Sequence, residues 1–380
     1  MPPVYLDHAA TTPVLPAARQ AVDDALALSG GNPSSAHAAG RKARQLLEDA
    51  RDRVAARLGA DPSEVIFTSG ATEANNLALF GLSPSPRTPL PPGEGGTVLA
   101  APIEHPCVVE PLRRLAAAGV RVEWLPVSPG GVVEQGAVLG RVTADTRLVT
   151  LMLANHETGA VQPVRPVAGA VPGTVLVHTD AAQAVGKLPV HFRDLGVTAL
   201  TASAHKFGGP PGVGLLLLKA GTKLRPLLYG GHQQQGHRPG TEPVALAAGL
   251  AAALDHAADH LTANTDRVVS LRAAFLGRLG GVDHVVNSPP DALPHLLNVS
   301  FPGCRSEVLL MALDLAGVQC STGSACSSGS LLPSPVLDAM GVPPEVLESA
   351  MRFSFAPTQT AEEVGWAADR VAECVRRVRG

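Results

Sequence analysis

The sequence predicts an α/β protein with a mainly parallel sheet sandwiched by helices, and two observations carry that reading. Short apolar, β-branched runs alternate with stretches of helical periodicity, the pattern of parallel strands joined by crossover helices. Two of those runs also end in groups able to do chemistry: Val175-Leu176-Val177-His178-Thr179 leads into Asp180, and Thr201-Ala202-Ser203-Ala204 leads into His205-Lys206. In open α/β sheets the crevice beyond the carboxyl ends of the strands is where ligands bind.

Taken in order, residues 6–13 are too short and threonine-rich for a helix and predict an extended arm crossing the active site. Ala43, Leu46, Leu47, Ala50, Val54, Ala55 and Leu58 recur at helical spacing, with Gly59 as the stop. Val65-Ile66-Phe67 predicts a strand that runs into the small-residue turn Thr68-Ser69-Gly70-Ala71-Thr72, which opens a helix. Residues 83–96, rich in proline and glycine, predict a surface loop. Strands are expected at 97–100, 120–125, 148–153, 175–178 and 213–218, with a helix near 108–118. An Ala/Leu-rich helical segment spans 243–280, and the change from a large to a small domain is placed near 255. Ser306 is expected to cap a helix over 307–316 ended by Gly317, and an amphipathic helix over 361–378 closes the chain.

With 380 residues, 45% hydrophobic and 17% charged, the chain is long enough for about two domains. Its net charge of −3 and the absence of basic runs beyond Arg376, Arg377 and Arg379 point away from nucleic acid. No apolar run approaches membrane-spanning length and no basic, then apolar, leader opens the sequence, so a cytoplasmic location is expected. The five cysteines are odd in number and unpaired in spacing, which argues against a disulfide framework. Cys107, Cys304 and Cys374 read as small buried hydrophobes.

The chemistry centres on Lys206. A lysine fixed between an apolar strand and a Gly/Pro turn is poised to form an imine with an aldehyde, most commonly pyridoxal 5'-phosphate. Asp180 at a strand end can pair with a protonated pyridine nitrogen, and Gln183 can donate to the phenolic oxygen of such a ring. The helix start at Ala71 and Thr72 offers backbone N–H groups and a hydroxyl to a phosphate. The stretch 319–330 is dominated by Gly and Ser, so it predicts a mobile arm carrying Cys326. His156-Glu157 lacks the second histidine of a zinc-protease motif, and His256 and His260 with Asp255 and Asp259 read as a solvated helix face rather than a metal site.

These residues, together with residues 5–13, Gly31-Asn32-Pro33-Ser34-Ser35, Glu104-His105, Asn155-His156-Glu157-Thr158-Gly159, residues 238–241, 321–328 and Arg352-Phe353-Ser354, resemble the cysteine desulfurases of the class V aminotransferase group, nearly end to end. The resemblance implies the fold type I architecture of pyridoxal phosphate enzymes: a large cofactor-binding domain over 13–255, and a smaller α+β domain from 1–12 and 256–380. It implies that His105 stacks on the cofactor ring, that Asn155 reaches the cofactor and the substrate, and that Ser203 and His205 reach the phosphate. Thr241 would serve the phosphate site of a neighbouring subunit in a homodimer. Arg352 would bind the substrate carboxylate with its planar fork, and Cys326 would accept sulfur from L-cysteine as a persulfide. That sulfur would then pass to an acceptor protein such as an iron-sulfur scaffold or a sulfur carrier. Two positions depart from the family: Gln235 stands where arginine is frequent and Pro211 where lysine is frequent. The rivals are a class V aminotransferase, which leaves the Cys326 stretch unexplained, a selenocysteine lyase, and a non-catalytic relative, against which the full set of site residues argues.

Overall fold

The computed structural model describes residues 2–28, 30–83, 96–322 and 333–380. Its strands in chain order are β1 (Val4–Tyr5), β2 (Val65–Thr68), β3 (Thr97–Ala100), β4 (Arg121–Trp124), β5 (Thr146–Thr150), β6 (Leu176–Asp180), β7 (Ala199–Ser203), β8 (Gly214–Leu218), β9 (Val285–Val286), β10 (Leu296–Ser300), β11 (Val318–Gln319) and β12 (Ala350–Ser354). Seven of them form one sheet in the order β2-β8-β7-β6-β5-β3-β4. The pairs among β7, β6, β5, β3 and β4 are parallel, whereas β8 runs antiparallel to both β7 and β2. Every residue of β7 and β8 is buried, as expected of strands covered on both faces, whose sequences read as unbroken apolar runs.

Helices cover this sheet, among them Ala38–Leu58, Ala71–Leu82 and Pro106–Ala117. The first ends where the sequence places its stop, with Gly59 in the left-handed region at φ 63° and its N–H donating to Ala55 O. The segment 243–280 divides into Val244–Asp259 and Leu261–Arg278. Asp255 of the first pairs with Arg53 and Arg57, and Asp259 with Arg57, so these acids tie two helices together.

A second group of elements follows. β12, β10 and β9 make an antiparallel sheet, packed with Leu261–Arg278 and Ala361–Arg379 around Phe275, Phe301, Phe353 and Phe355. The terminal helix opens with a capping box in which Thr360 and Glu363 satisfy each other's backbone N–H groups. Ser306 does not cap its helix: it is the first residue of Ser306–Leu315, and Arg305 precedes it without a side-chain hydrogen bond. β1 pairs in parallel with β11, which brings the N-terminus beside the residues that lead toward Cys326. No helix among the described residues is long and apolar enough to cross a membrane.

Candidate active site

The carboxyl ends of β6 and β7 and the amino end of the helix Ala71–Leu82 meet at a cavity of about 440 Å³. Ala71, Thr72, His105, Asp180, Gln183, Ser203, His205 and Lys206, all singled out from the sequence, line it. The geometry depends on glycine: a Cβ on Gly214 at the start of β8 would sit 2.6 Å from the Gly70 backbone. Only a residue without a side chain lets β8 and the 68–72 turn approach this closely.

Asp180 forms the floor. Its Oδ2 accepts from Asn75 Nδ2 at 2.7 Å and its Oδ1 from the Ala182 N–H at 2.9 Å, while Asn75 Oδ1 accepts from the Thr201 hydroxyl at 2.5 Å. The carboxylate is thereby oriented from two elements. Lys206 leaves the end of β7 through the short 3₁₀ turn Ala204–Lys206, and its Nζ donates to Ala9 O and Ala10 O, both at 2.8 Å. The arm at residues 6–13 therefore does pass over the site. Thr12 strengthens the crossing by donating from its hydroxyl to His205 O at 2.8 Å.

These residues fit pyridoxal phosphate on structural grounds. Gly70 precedes the helix Ala71–Leu82 without a side-chain cap, so the first-turn N–H groups are presented to the cavity beside Ser203 and His205, as a phosphate requires. Asp180 and Lys206 line the same cavity, a carboxylate and an amine of the kinds that a pyridinium nitrogen and an aldehyde would need. Burial and the neighbouring Lys206 and Lys187 hold His205 down at about 4, so its imidazole is neutral.

His105 occupies the rim. Burial lowers its pKa, and the Lys206 and Arg352 cations reinforce the shift while Asp180 opposes it. Its ring also caps the helix Pro106–Ala117, with Nδ1 accepting from the Cys107 N–H at 3.1 Å and lying 2.9 Å from Cys107 Sγ. Cys107 is half-buried and hydrogen-bonded rather than a fully buried hydrophobe. It lines the cavity, accepts from Asn75 Nδ2 at 3.1 Å, and has its thiol pushed well up by burial and by Asp180.

Asn155 does not line this cavity. Its Oδ1 accepts from the Glu157 and Thr158 N–H groups at 2.8 and 2.9 Å, and its Nδ2 donates to Ile103 O at 3.0 Å. The amide holds the turn that sets His156, whose ring meets His105 edge to face at 5.1 Å. Gln183 lines the cavity, with Nε2 donating to Ala9 O at 2.9 Å. Arg352 on β12 is buried, its Nη2 paired with Asp7 Oδ1 at 2.8 Å and its Nη1 donating to His156 O at 2.9 Å, while Nε has no hydrogen-bond partner among the described residues. Ser321 exchanges backbone hydrogen bonds with Arg352, so the chain leading toward Cys326 starts from the arginine itself. Cys326 lies outside the described residues. The start of 319–330 is not a free arm, since Gln319 belongs to β11 and Ser321 to the bridge with Arg352. Thr241 is exposed and lies away from the cavity lining.

Sequence reasoning missed three supporting residues. Asn75 carries Asp180. Burial first, and then the Asp180 charge, raise the pKa of Glu104 to about 8, and it accepts from the Met152 N–H. Gln234, in the left-handed region at φ 47°, accepts from the Phe67 N–H on the open edge of β2 at 2.8 Å. The Asn in the 68–76 turn was a visible signal; the roles of Glu104 and Gln234 depend on contacts remote in sequence.

Comparison with known proteins agrees with this geometry. A family model described as aminotransferase class-V matches residues 4–366. The chain is 38% identical to the cysteine desulfurase IscS of Dictyoglomus turgidum, covering 99% of this chain and 95% of that protein. It is 40% identical to the putative cysteine desulfurase IscS 1 of Bacillus subtilis, with 99% of each covered. Among solved structures, a NifS-like protein superposes with a TM-score of 0.92 at 35% identity, over 99% of this chain and 100% of that one. A structure of SspA in complex with cysteine gives a TM-score of 0.81 at 32% identity, over 94% and 99%.

Proposed function

We infer the function of this chain from its family and its site: it belongs to the class V aminotransferases, and within them it is a cysteine desulfurase that converts L-cysteine to L-alanine. The observation that carries the reading is one cavity lined by Lys206, Asp180, His105 and an uncapped helix start, with Arg352 buried nearby. The cysteine-bound SspA structure supports the substrate.

Ala71, Thr72, Ser203 and His205 would hold the phosphate of pyridoxal phosphate, Asp180 its ring nitrogen and Gln183 its phenolic oxygen, with His105 against the ring and Lys206 at the aldehyde. The cofactor, when bound, supplies a sink for the electron pair left when the substrate loses its Cα proton. Lys206 is placed to take that proton. Its two carbonyl acceptors, Ala9 O and Ala10 O, steady the ammonium form.

Arg352 orients the substrate by its carboxylate, a task for which the planar fork is suited. Asn155 acts on the site through the turn it holds. Cys326, as thiolate, would attack the substrate sulfur: an S–S bond forms, the Cβ–S bond breaks with its electron pair staying on carbon, Cβ gains a proton to become the methyl group, and Lys206 returns a proton to Cα to give alanine. The persulfide on Cys326 then serves an acceptor protein, an iron-sulfur scaffold or a sulfur carrier, and Thr241 completes a phosphate site across a homodimer. The large domain over 13–255 would bind the cofactor, and the small domain, 1–12 with 256–380, would carry Arg352 and Cys326.

The test is Cys326→Ser in the cofactor-loaded protein. Its absorption spectrum should respond to added cysteine as the parent's does, yet alanine formation should fall to background. Mass spectrometry of the parent after brief exposure to cysteine should place one added sulfur on the peptide containing Cys326. Undiminished sulfide release by the variant would reassign the acceptor.

A further inference from the structure

The helix start proposed for the cofactor phosphate already carries an anion. Glu73 is the third residue of the helix Ala71–Leu82 and lines the cavity together with Ser69, Ala71 and Thr72. An acid in the first turn of a helix is ordinarily favourable, because it meets the positive end of the dipole. Here a phosphate would use that same end, so the two anions would compete for it.

Positive charge at the cavity is scarce. Among the described residues Lys206 is the one lysine or arginine in the lining, and it would be committed to the aldehyde. Pro211 lines the cavity at the position where lysine is frequent in the family, and the Gln235 side chain, where arginine is frequent, donates to Ser63 O. Burial, reinforced by cationic neighbours, holds the imidazoles of His105, His156 and His205 below their ordinary range, so they add no charge.

Arg238 meets the competing carboxylate. Its Nε donates to Glu73 Oε1 at 2.8 Å and its Nη2 lies 3.5 Å from Oε2, which also accepts from the Ser69 N–H at 2.8 Å. Burial acts to raise the pKa of Glu73, but the bonds from Arg238 and Ser69 outweigh it; the net shift is downward and the group stays ionised. Arg238 is not part of the described cavity lining, so it bears on the phosphate site through Glu73.

We propose that Arg238 is a positioning residue for the cofactor phosphate: it neutralises Glu73 and holds that carboxylate on the 69–73 turn, which leaves the helix start to the phosphate. The inference rests on the reading of the cavity as a pyridoxal phosphate site.

The experiment measures the affinity of the full-length protein for pyridoxal phosphate and for pyridoxal, which offers the same ring and aldehyde without the phosphate. Arg238→Ala should weaken pyridoxal phosphate at least about tenfold, the order expected when an unneutralised carboxylate faces a dianion near a protein surface. Arg238→Gln, which keeps most of the side chain's length, should do the same and serves if the truncation disturbs folding. Both should bind pyridoxal as the parent does, and Arg238→Lys, which keeps the charge, should stay close to the parent for both ligands. Adding Glu73→Gln, which retains an acceptor for the Ser69 N–H, should restore the affinity lost in either neutral variant. The inference is overturned if both neutral variants bind pyridoxal phosphate like the parent, if pyridoxal weakens equally, or if Glu73→Gln restores nothing, which would have Arg238 act on the phosphate directly. A parent that bound pyridoxal phosphate no better than pyridoxal would instead overturn the cofactor reading on which the inference rests.

Discussion

The floor of the site and its Arg352 end are built in different ways. At the floor, Asp180 is held by Asn75 and the Ala182 N–H, Asn75 in turn by Thr201, and Lys206 by two carbonyls of the arm. Apart from the arm, these groups come from adjacent elements of one sheet and the helix packed on it. At the other end Arg352 is held by Asp7, 345 residues away, and by one carbonyl, and its Nε has no hydrogen-bond partner among the described residues. The floor is set before any ligand arrives, which is what electrostatic preorganisation requires.

Breaking the floor should have the largest effect. On the proposed roles Lys206→Ala removes the group that would move the Cα proton, and turnover should fall to background together with the visible band of the lysine-bound cofactor. Retention of that band would move the cofactor linkage to another amine, with Lys187, whose Nζ donates to Gln183 Oε1, the first to test.

The arginine end should respond in binding more than in turnover. Arg352→Ala is expected to raise KM by roughly 10- to 150-fold for each lost hydrogen bond to a charged group, since each contributes roughly 1.5–3 kcal/mol. Arg352→Lys should recover only part of this, because a point charge cannot reproduce the fork. Both variants also leave Asp7 with a poorer partner, so thermal unfolding must be followed separately from KM. Unchanged KM in both would transfer carboxylate recognition elsewhere.

The same contrast explains what could be read from the sequence. Asp180 and Lys206 were legible because each ends a short apolar strand, and a strand end points to one place in an α/β sheet. The Ala71-Thr72 turn was legible for the same local reason. The pairing of Arg352 with Asp7 and the inward turn of the Asn155 amide were not, because they depend on how β12 and the N-terminal arm come together. Residue type said that Asn155 has two donors and two acceptor sites; it could not say that Glu157, Thr158 and Ile103 would use them. Gln234 was illegible for a further reason, since a non-glycine residue at positive φ follows from its side-chain bonds and leaves no sequence pattern.

Glu104 tests the electrostatics of the floor. Its raised pKa of about 8 means that the folded protein binds a proton that the unfolded chain releases above about 4.5. Stability from this group is therefore fully present below 4.5, and it is lost as pH rises through 8. Glu104→Gln keeps an acceptor for the Met152 N–H without the charge. Urea unfolding should find parent and variant equal near pH 4, with the variant gaining progressively up to pH 8 and by a constant margin above. Parallel curves would mean that Asp180 and burial do not hold this carboxyl protonated.

Cys107 should give the smallest effect and separates packing from positioning at the floor. Its thiol sits between His105 Nδ1 and Asn75 Nδ2, at 2.9 and 3.1 Å, so it touches His105 and the residue that orients Asp180. Burial and the Asp180 charge push its pKa well up, which favours the neutral thiol and suits it to hydrogen bonding. A hydroxyl can make the same two bonds with a shorter reach, whereas a methyl group can make neither. Cys107→Ser should therefore retain most of the parent's kcat, and Cys107→Ala should lose several-fold, in line with roughly 1 kcal/mol for a hydrogen bond between neutral partners. KM for cysteine should move in neither variant, because Arg352 is untouched. If serine and alanine were equally harmless, Cys107 would be packing alone; a rise in KM without a fall in kcat would mean that the floor and the arginine end are coupled through His105 and His156.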